Sequence, residues 1–159
     1  MKKFILGFGL IILVINGLYA RGIQDMNSPF IHVREQTPEI VIAAVRQDGL
    51  NLMYVENQTE EICLEAIRQN PRAFIYVKEQ TPIISLTAVS GDGKMLMYVK
   101  EQTNEIALAA VRQNGLSLMY VENQTEEICL EAVKQNPRAL VYVKEQTTAI
   151  AQAAVGIIN

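Results

Sequence analysis

Six threonines, Thr37, Thr59, Thr81, Thr103, Thr125 and Thr147, stand 22 residues apart, and the chain between them repeats the same text without an insertion or deletion. Three residues after each comes Ile, from Ile40 to Ile150; seven after comes Ala, from Ala44 to Ala154; then a Val or Ile, from Val45 to Val155. A fixed period in this range means stacked supersecondary units, none able to bury its apolar face alone. Function in such an array lies along an extended surface. A longer period sits on the first: Gly49 to Thr81 matches Gly115 to Thr147 at all but five positions, an offset of three units. Copies this similar report what stacking requires, so the positions where units differ are the informative ones.

Each unit carries its own punctuation. In Thr59-Glu-Glu-Ile-Cys-Leu-Glu-Ala-Ile-Arg-Gln-Asn70-Pro71 the Thr suits an N-cap and acids follow where the helix dipole favours them. Pro38 and Pro82 sit at the first helical position, where a missing N–H costs nothing. Gln47-Asp48-Gly49, Asp92-Gly93 and Asn114-Gly115 read as left-handed stops. The spacing predicts a ten-residue helix over Glu60 to Gln69, then a short second helix that Asn70-Pro71 or Asn136-Pro137 can cap and start. Ile75 and Val77 make that second element ambiguous with a strand. A leucine-rich repeat would combine strand and helix at this length, but its spaced-Leu signature is absent. The expected fold is all-α, a solenoid of stacked 22-residue helix-turn-helix repeats over residues 30–159.

On the first helix Ile62, Cys63, Leu64, Ala66 and Ile67 cover a broad apolar arc, suited to a helix flanked by copies of itself, while Glu61, Glu65 and Arg68 form a solvated stripe. Cys63 and Cys129 share one column three units apart, about 25 to 30 Å in a regular stack, too far for a disulfide. They are expected as separate buried thiols in a column with Val41, Ser85, Ala107 and Ala151. Segments such as Ile62 to Val77 and Ala109-Ala-Val-Arg-Gln-Asn-Gly115-Leu-Ser-Leu-Met-Tyr-Val121 resemble domain of unknown function 4116, a family of helical repeats built on an Ala-Val-Lys-Gln-Asn-Gly motif followed by Leu and Tyr. The resemblance covers nearly everything from Phe30 onward. It implies a repeat type and brings no activity, cofactor or catalytic residue with it, and Ser90-Gly-Asp-Gly-Lys94 departs from the motif.

The first twenty residues stand apart. Met1-Lys2-Lys3, an apolar run from Phe4 to Ile15 and the small residue Ala20 form the pattern of a secretory signal peptide over 1–20, followed by a linker over 21–29. That predicts a secreted or periplasmic bacterial protein without stable membrane insertion after cleavage; the alternative is an anchor left uncleaved, since 17 residues reach the short limit of a span. With 14 basic against 17 acidic residues, interspersed, nucleic acid is not an expected partner.

No catalytic, cofactor or metal site is expected. His32, the one His, takes the place that Tyr holds in later units, and Gly91-Asp92-Gly93-Lys94 lacks the strand, spacing and hydroxyl residue of a phosphate loop. Asn57 and Asn123 lie in glycosylation sequons whose Thr residues are already assigned as caps. Three features remain. The invariant Gln36, Gln58, Gln80, Gln102, Gln124 and Gln146 are expected to satisfy loop backbone between units. The column Tyr54, Tyr76, Tyr98, Tyr120 and Tyr142, beside Met53, Met97 and Met119, packs between units or forms an exposed aromatic ladder. The solvent stripe loses its charge at Ile83, Thr87 and Ser90 and again at Ala149, Ala153 and Gly156, which are the expected partner-binding residues. The expected role is a protein-binding scaffold; self-assembly as a structural envelope protein through the apolar last unit is the alternative, and a glycan-binding module the weaker one.

Overall fold

The computed structural model describes residues 36–156. Six α-helices alternate with five 3-10 helices: α1 (Pro38–Gln47), η1 (Gly49–Tyr54), α2 (Glu60–Gln69), η2 (Pro71–Tyr76), α3 (Pro82–Gly91), η3 (Gly93–Tyr98), α4 (Asn104–Gln113), η4 (Gly115–Tyr120), α5 (Glu126–Gln135), η5 (Pro137–Tyr142) and α6 (Thr148–Ala154). The described residues contain no strand. His32, the region 1–29 and residues 157–159 lie outside them.

Each α-helix starts on a Thr whose hydroxyl accepts the N–H three residues on, as Thr59 does from Ile62 at 3.3 Å. The first five end without the left-handed residue that the Gly positions suggest, and only α6 is followed by one, Gly156 at φ 72°. Asp48, Asn70, Asp92, Asn114 and Asn136 are extended, at φ −145° to −150°. Each closes one helix and opens the next: Asn70 N–H donates to Ala66 O at 2.8 Å, while its side-chain oxygen accepts from Arg72 N at 3.1 Å. A single residue therefore replaces a connecting loop, and the second element, six residues long, winds as a 3-10 helix.

The α-helices form one layer and the 3-10 helices the other. Each element packs only on its own unit and the units before and after it, as expected of a linear stack. Between the layers run Ile62, Cys63, Ala66 and Ile67 of α2 with Ala73 and Phe74 of η2, and their counterparts in other units. The thiol column is buried at Val41, Cys63, Ser85, Ala107 and Cys129. Ala151 is exposed instead, because no described element covers the far side of α6.

Gly49, Gly93 and Gly115 serve a close approach. A Cβ at Gly49 would run into the carbonyl oxygen of Ala66 in the next unit, and one at Gly115 into that of Ala132. Their N–H groups donate to a glutamine at the end of the neighbouring α-helix: Gly49 to Gln69 at 2.6 Å, Gly93 to Gln113 at 2.8 Å and Gly115 to Gln135 at 2.6 Å. Where the column carries Pro71, with no N–H to give, the facing position is Gly91, and a Cβ there would lie 2.6 Å from Pro71 Cγ. The units therefore lock in two ways, Gly against Gln or Pro against Gly.

Candidate functional surfaces

The glutamines before each capping Thr form a ladder. Gln124 donates from Nε2 to Tyr142 O at 2.9 Å and to Leu118 O at 3.3 Å, and accepts at Oε1 from Lys144 N at 3.0 Å. Gln58 and Gln102 repeat the set, while Gln36 and Gln80 make the two bonds to the following unit. One amide thus satisfies backbone in two neighbouring units, which accounts for an invariant residue on a partly exposed loop. These side chains are occupied with structure. Cys63 and Cys129 are free and buried, with Sγ 3.8 and 3.6 Å from the Oε1 atoms of Gln58 and Gln124. Burial pushes both thiols up in pKa, and Glu60 and Glu126 add to the effect. That is the opposite of what a nucleophile needs.

The α-layer carries the charged stripe. Arg46 meets Glu65 at 2.6 Å, Arg68 meets the same carboxylate at 3.2 Å, and Arg112 meets Glu131 at 3.0 Å. Arg46 and Arg68 hold Glu65 below the usual carboxylate range, the bond from Arg46 contributing most. Between the two sites α3 has no charge to offer. Ile83 is 51 % exposed there, Ser90 is exposed, and Thr87 is half-buried with its hydroxyl donating to Ile83 O at 2.7 Å. The second uncharged patch does not assemble as expected: Gly156 is exposed and Ala149 half-buried, but Ala153 is buried, because α6 turns that side toward the core.

The 3-10 layer presents a different surface. In a 3-10 helix residues three apart eclipse, so the second and fifth residues after each Asp or Asn share one face, while the fourth, such as Leu52, Phe74 and Leu96, points into the core. The outermost column is apolar and open: Met53 48 %, Ile75 45 %, Met97 50 %, Met119 49 % and Val141 76 % exposed. Tyr54, Tyr76, Tyr120 and Tyr142 lie half-buried against the core, and Tyr98 alone is 44 % exposed. The open ladder is therefore built of Met, Ile and Val, with Tyr sunk beside it. Sequence reasoning singled out the aromatic column because a ring is the usual binding element; the signal for its neighbour was the placement three residues after exposed Arg72, Lys94 and Arg138.

Two open depressions of about 160 and 190 Å³ recur at equivalent places, one beside Gln80, Thr81 and Ser85, the other beside Gln124, Thr125 and Cys129. Both fall short of the roughly 300 Å³ at which small-molecule sites begin. Among the described residues no group of three or more His, Cys, Asp or Glu is placed to hold a metal ion, and no helix is long and apolar enough to cross a membrane.

Comparison with curated proteins and with solved structures gives no match. A family model described as Domain of unknown function (DUF4116) matches twice, over residues 37–80 and 103–146. Each match begins at a capping Thr and ends at a ladder Gln, spanning two units. The matches together take in more than half of the chain, and the protein belongs to this family of helical repeats.

Proposed function

We propose that this chain is an exported, non-catalytic scaffold that binds another protein along the outer face of its 3-10 layer. One observation carries the proposal: five large apolar side chains, Met53, Ile75, Met97, Met119 and Val141, stand open in a single column at one per unit. Scattered exposed hydrophobes are ordinary, but a continuous row repeated by the architecture itself is the form of a binding surface. Met suits the task, being flexible enough to fit differing partners. Export rests on the signal-like pattern of residues 1–20. The uncharged α3 patch around Ile83 is the secondary contact on the opposite layer.

Affinity capture from the source cell's envelope and medium, using the full chain beside two surface variants, tests this. A partner lost on Met53→Ser, Met97→Ser and Met119→Ser together, and retained by Ile83→Glu, is the expected result. A partner retained by the triple variant overturns the ladder as the site. Recovery of the chain alone from every bait moves the role to self-assembly.

A further inference from the structure

The charges around the ladder define what fits it. The five 3-10 segments, GLNLMY, PRAFIY, GKMLMY, GLSLMY and PRALVY, contain three cations and no acid. Arg72, Lys94 and Arg138 precede Ile75, Met97 and Val141 by three residues, so each cation shares a face with a ladder position, and all three are exposed. None takes part in an ion pair among the described residues, whereas Arg46, Arg68 and Arg112 on the α-layer do. The α-layer has the opposite sign, with three Glu on each of α2 and α5. The chain is acidic as a whole, yet these segments themselves carry only cations, with the capping carboxylates of Asp48 and Asp92 at the starts of two of them.

The spacing defines the conformation. Stacked helices repeat at about 8 to 10 Å. A polyproline II chain has three residues per turn and rises about 9 Å in doing so. An extended peptide in that conformation therefore presents the same side chain to every unit, keeping one face on the apolar column and an adjacent face toward the cations. An α-helical ligand, with a pitch of about 5.4 Å, falls out of step after one unit.

We infer that the 3-10 face binds an acidic polyproline II segment of a partner protein, with an apolar residue at every third position seated on the ladder and carboxylates facing Arg72, Lys94 and Arg138. This rests on the scaffold reading above and gives the partner its chemistry. Proline in such a segment sets its shape before binding and lowers the ordering cost.

Fluorescence anisotropy with a fluorescein-labelled (Pro-Leu-Glu)5 peptide and the full chain tests it. Saturable binding is expected, weaker by about threefold for each of Met53→Ser, Met97→Ser and Met119→Ser and by about thirtyfold for the three together. Arg72→Glu with Lys94→Glu is expected to weaken it by at least tenfold, and (Pro-Leu-Lys)5 is expected not to bind. Because every substituted side chain is exposed, heat unfolding of the variants is expected to match the parent. Equal binding of the Lys peptide, or of a peptide of the same composition with its three-residue period broken, overturns the inference. So does preferential binding of phosphatidylglycerol vesicles, or assembly with other copies that Met97→Glu abolishes. A captured partner that needs the ladder, with no (Pro-Leu-Glu)5 binding, overturns this inference and leaves the scaffold standing.

Discussion

Replacing Gly91 with Gln gives α3 the residue that stands at the same place in α1, α2, α4 and α5, as Gln47, Gln69, Gln113 and Gln135, and it is expected to destabilise the protein. Helix propensity alone predicts a gain of about 0.5 to 1 kcal/mol on leaving glycine. Against it stands the Cβ, which would lie 2.6 Å from Pro71 Cγ and 3.3 Å from Pro71 Cβ, where carbon atoms settle at about 3.5 to 4 Å. The proline ring cannot swing aside, and no rotamer moves a Cβ, so the overpacking costs about 1 to 3 kcal/mol. The net loss is about 1 kcal/mol. In a Pro71→Gly background the sign reverses. The clash disappears, and the new Gln can accept from the N–H at position 71, as Gln69 accepts from Gly49 at 2.6 Å, and donate as Gln69 does to Gln47 O at 3.3 Å. Two such bonds contribute about 1 kcal/mol each. A double-mutant cycle by urea unfolding, followed by far-ultraviolet circular dichroism, is expected to give an interaction energy of about 3 to 5 kcal/mol, the overpacking and the two bonds together, at or above the upper end for residues in contact. Single effects that add to the double within about 0.5 kcal/mol would refute the two-way lock.

Three other outcomes are expected. Gln124→Leu removes three bonds to backbone and costs about 3 kcal/mol in urea unfolding, whereas Gln146→Leu, which loses one long bond to Leu140 O at 3.5 Å, costs less than about 1 kcal/mol. Ser117 buries a hydroxyl with no partner where Ala73 and Ala139 stand in sister units, so Ser117→Ala is expected to stabilise by about 1 kcal/mol in the same assay. The folded thiols of Cys63 and Cys129 have raised pKa values, so their contribution is complete below the unfolded thiol range and is lost as pH rises, because the unfolded chain ionises first. Stability measured from pH 7 to 10 is expected to fall less steeply for Cys63→Ala with Cys129→Ala than for the parent, and equal slopes would contradict the burial.

Much of the fold could be read from the repeat. Thr caps, ten-residue helices, the separation of the two thiols and the structural task of the Gln column all follow from spacing and side-chain chemistry that act within one unit. What was hidden acts between units. Gly49 looks like a left-handed stop in sequence, but its reason is Ala66 O of the next unit, which no local pattern reveals. Gly91 looks like decay of a motif until Pro71 is seen opposite it. The surface was partly misjudged for a similar reason. The loss of charge at Ile83 is visible in an alignment of units, whereas the exposure of Met97 depends on the second helix winding with three residues per turn, a winding that the six residues Gly93-Lys-Met-Leu-Met-Tyr98 do not announce.

The reach of the hydrogen bonds has a consequence for how the chain comes to be folded. The longest side-chain bonds among the described residues join Lys78 to Val55 and Lys144 to Val121, 23 positions apart. Nothing in such a chain waits for a distant end to arrive. As the polypeptide grows, each unit can close on its predecessor once the following 22 or so residues have emerged, which keeps loop-closure costs small and folding fast. The same short reach means that, among the described residues, no bond ties one end to the other. Pulled from its ends, the protein is expected to yield unit by unit, lengthening in repeated steps rather than breaking at a single force.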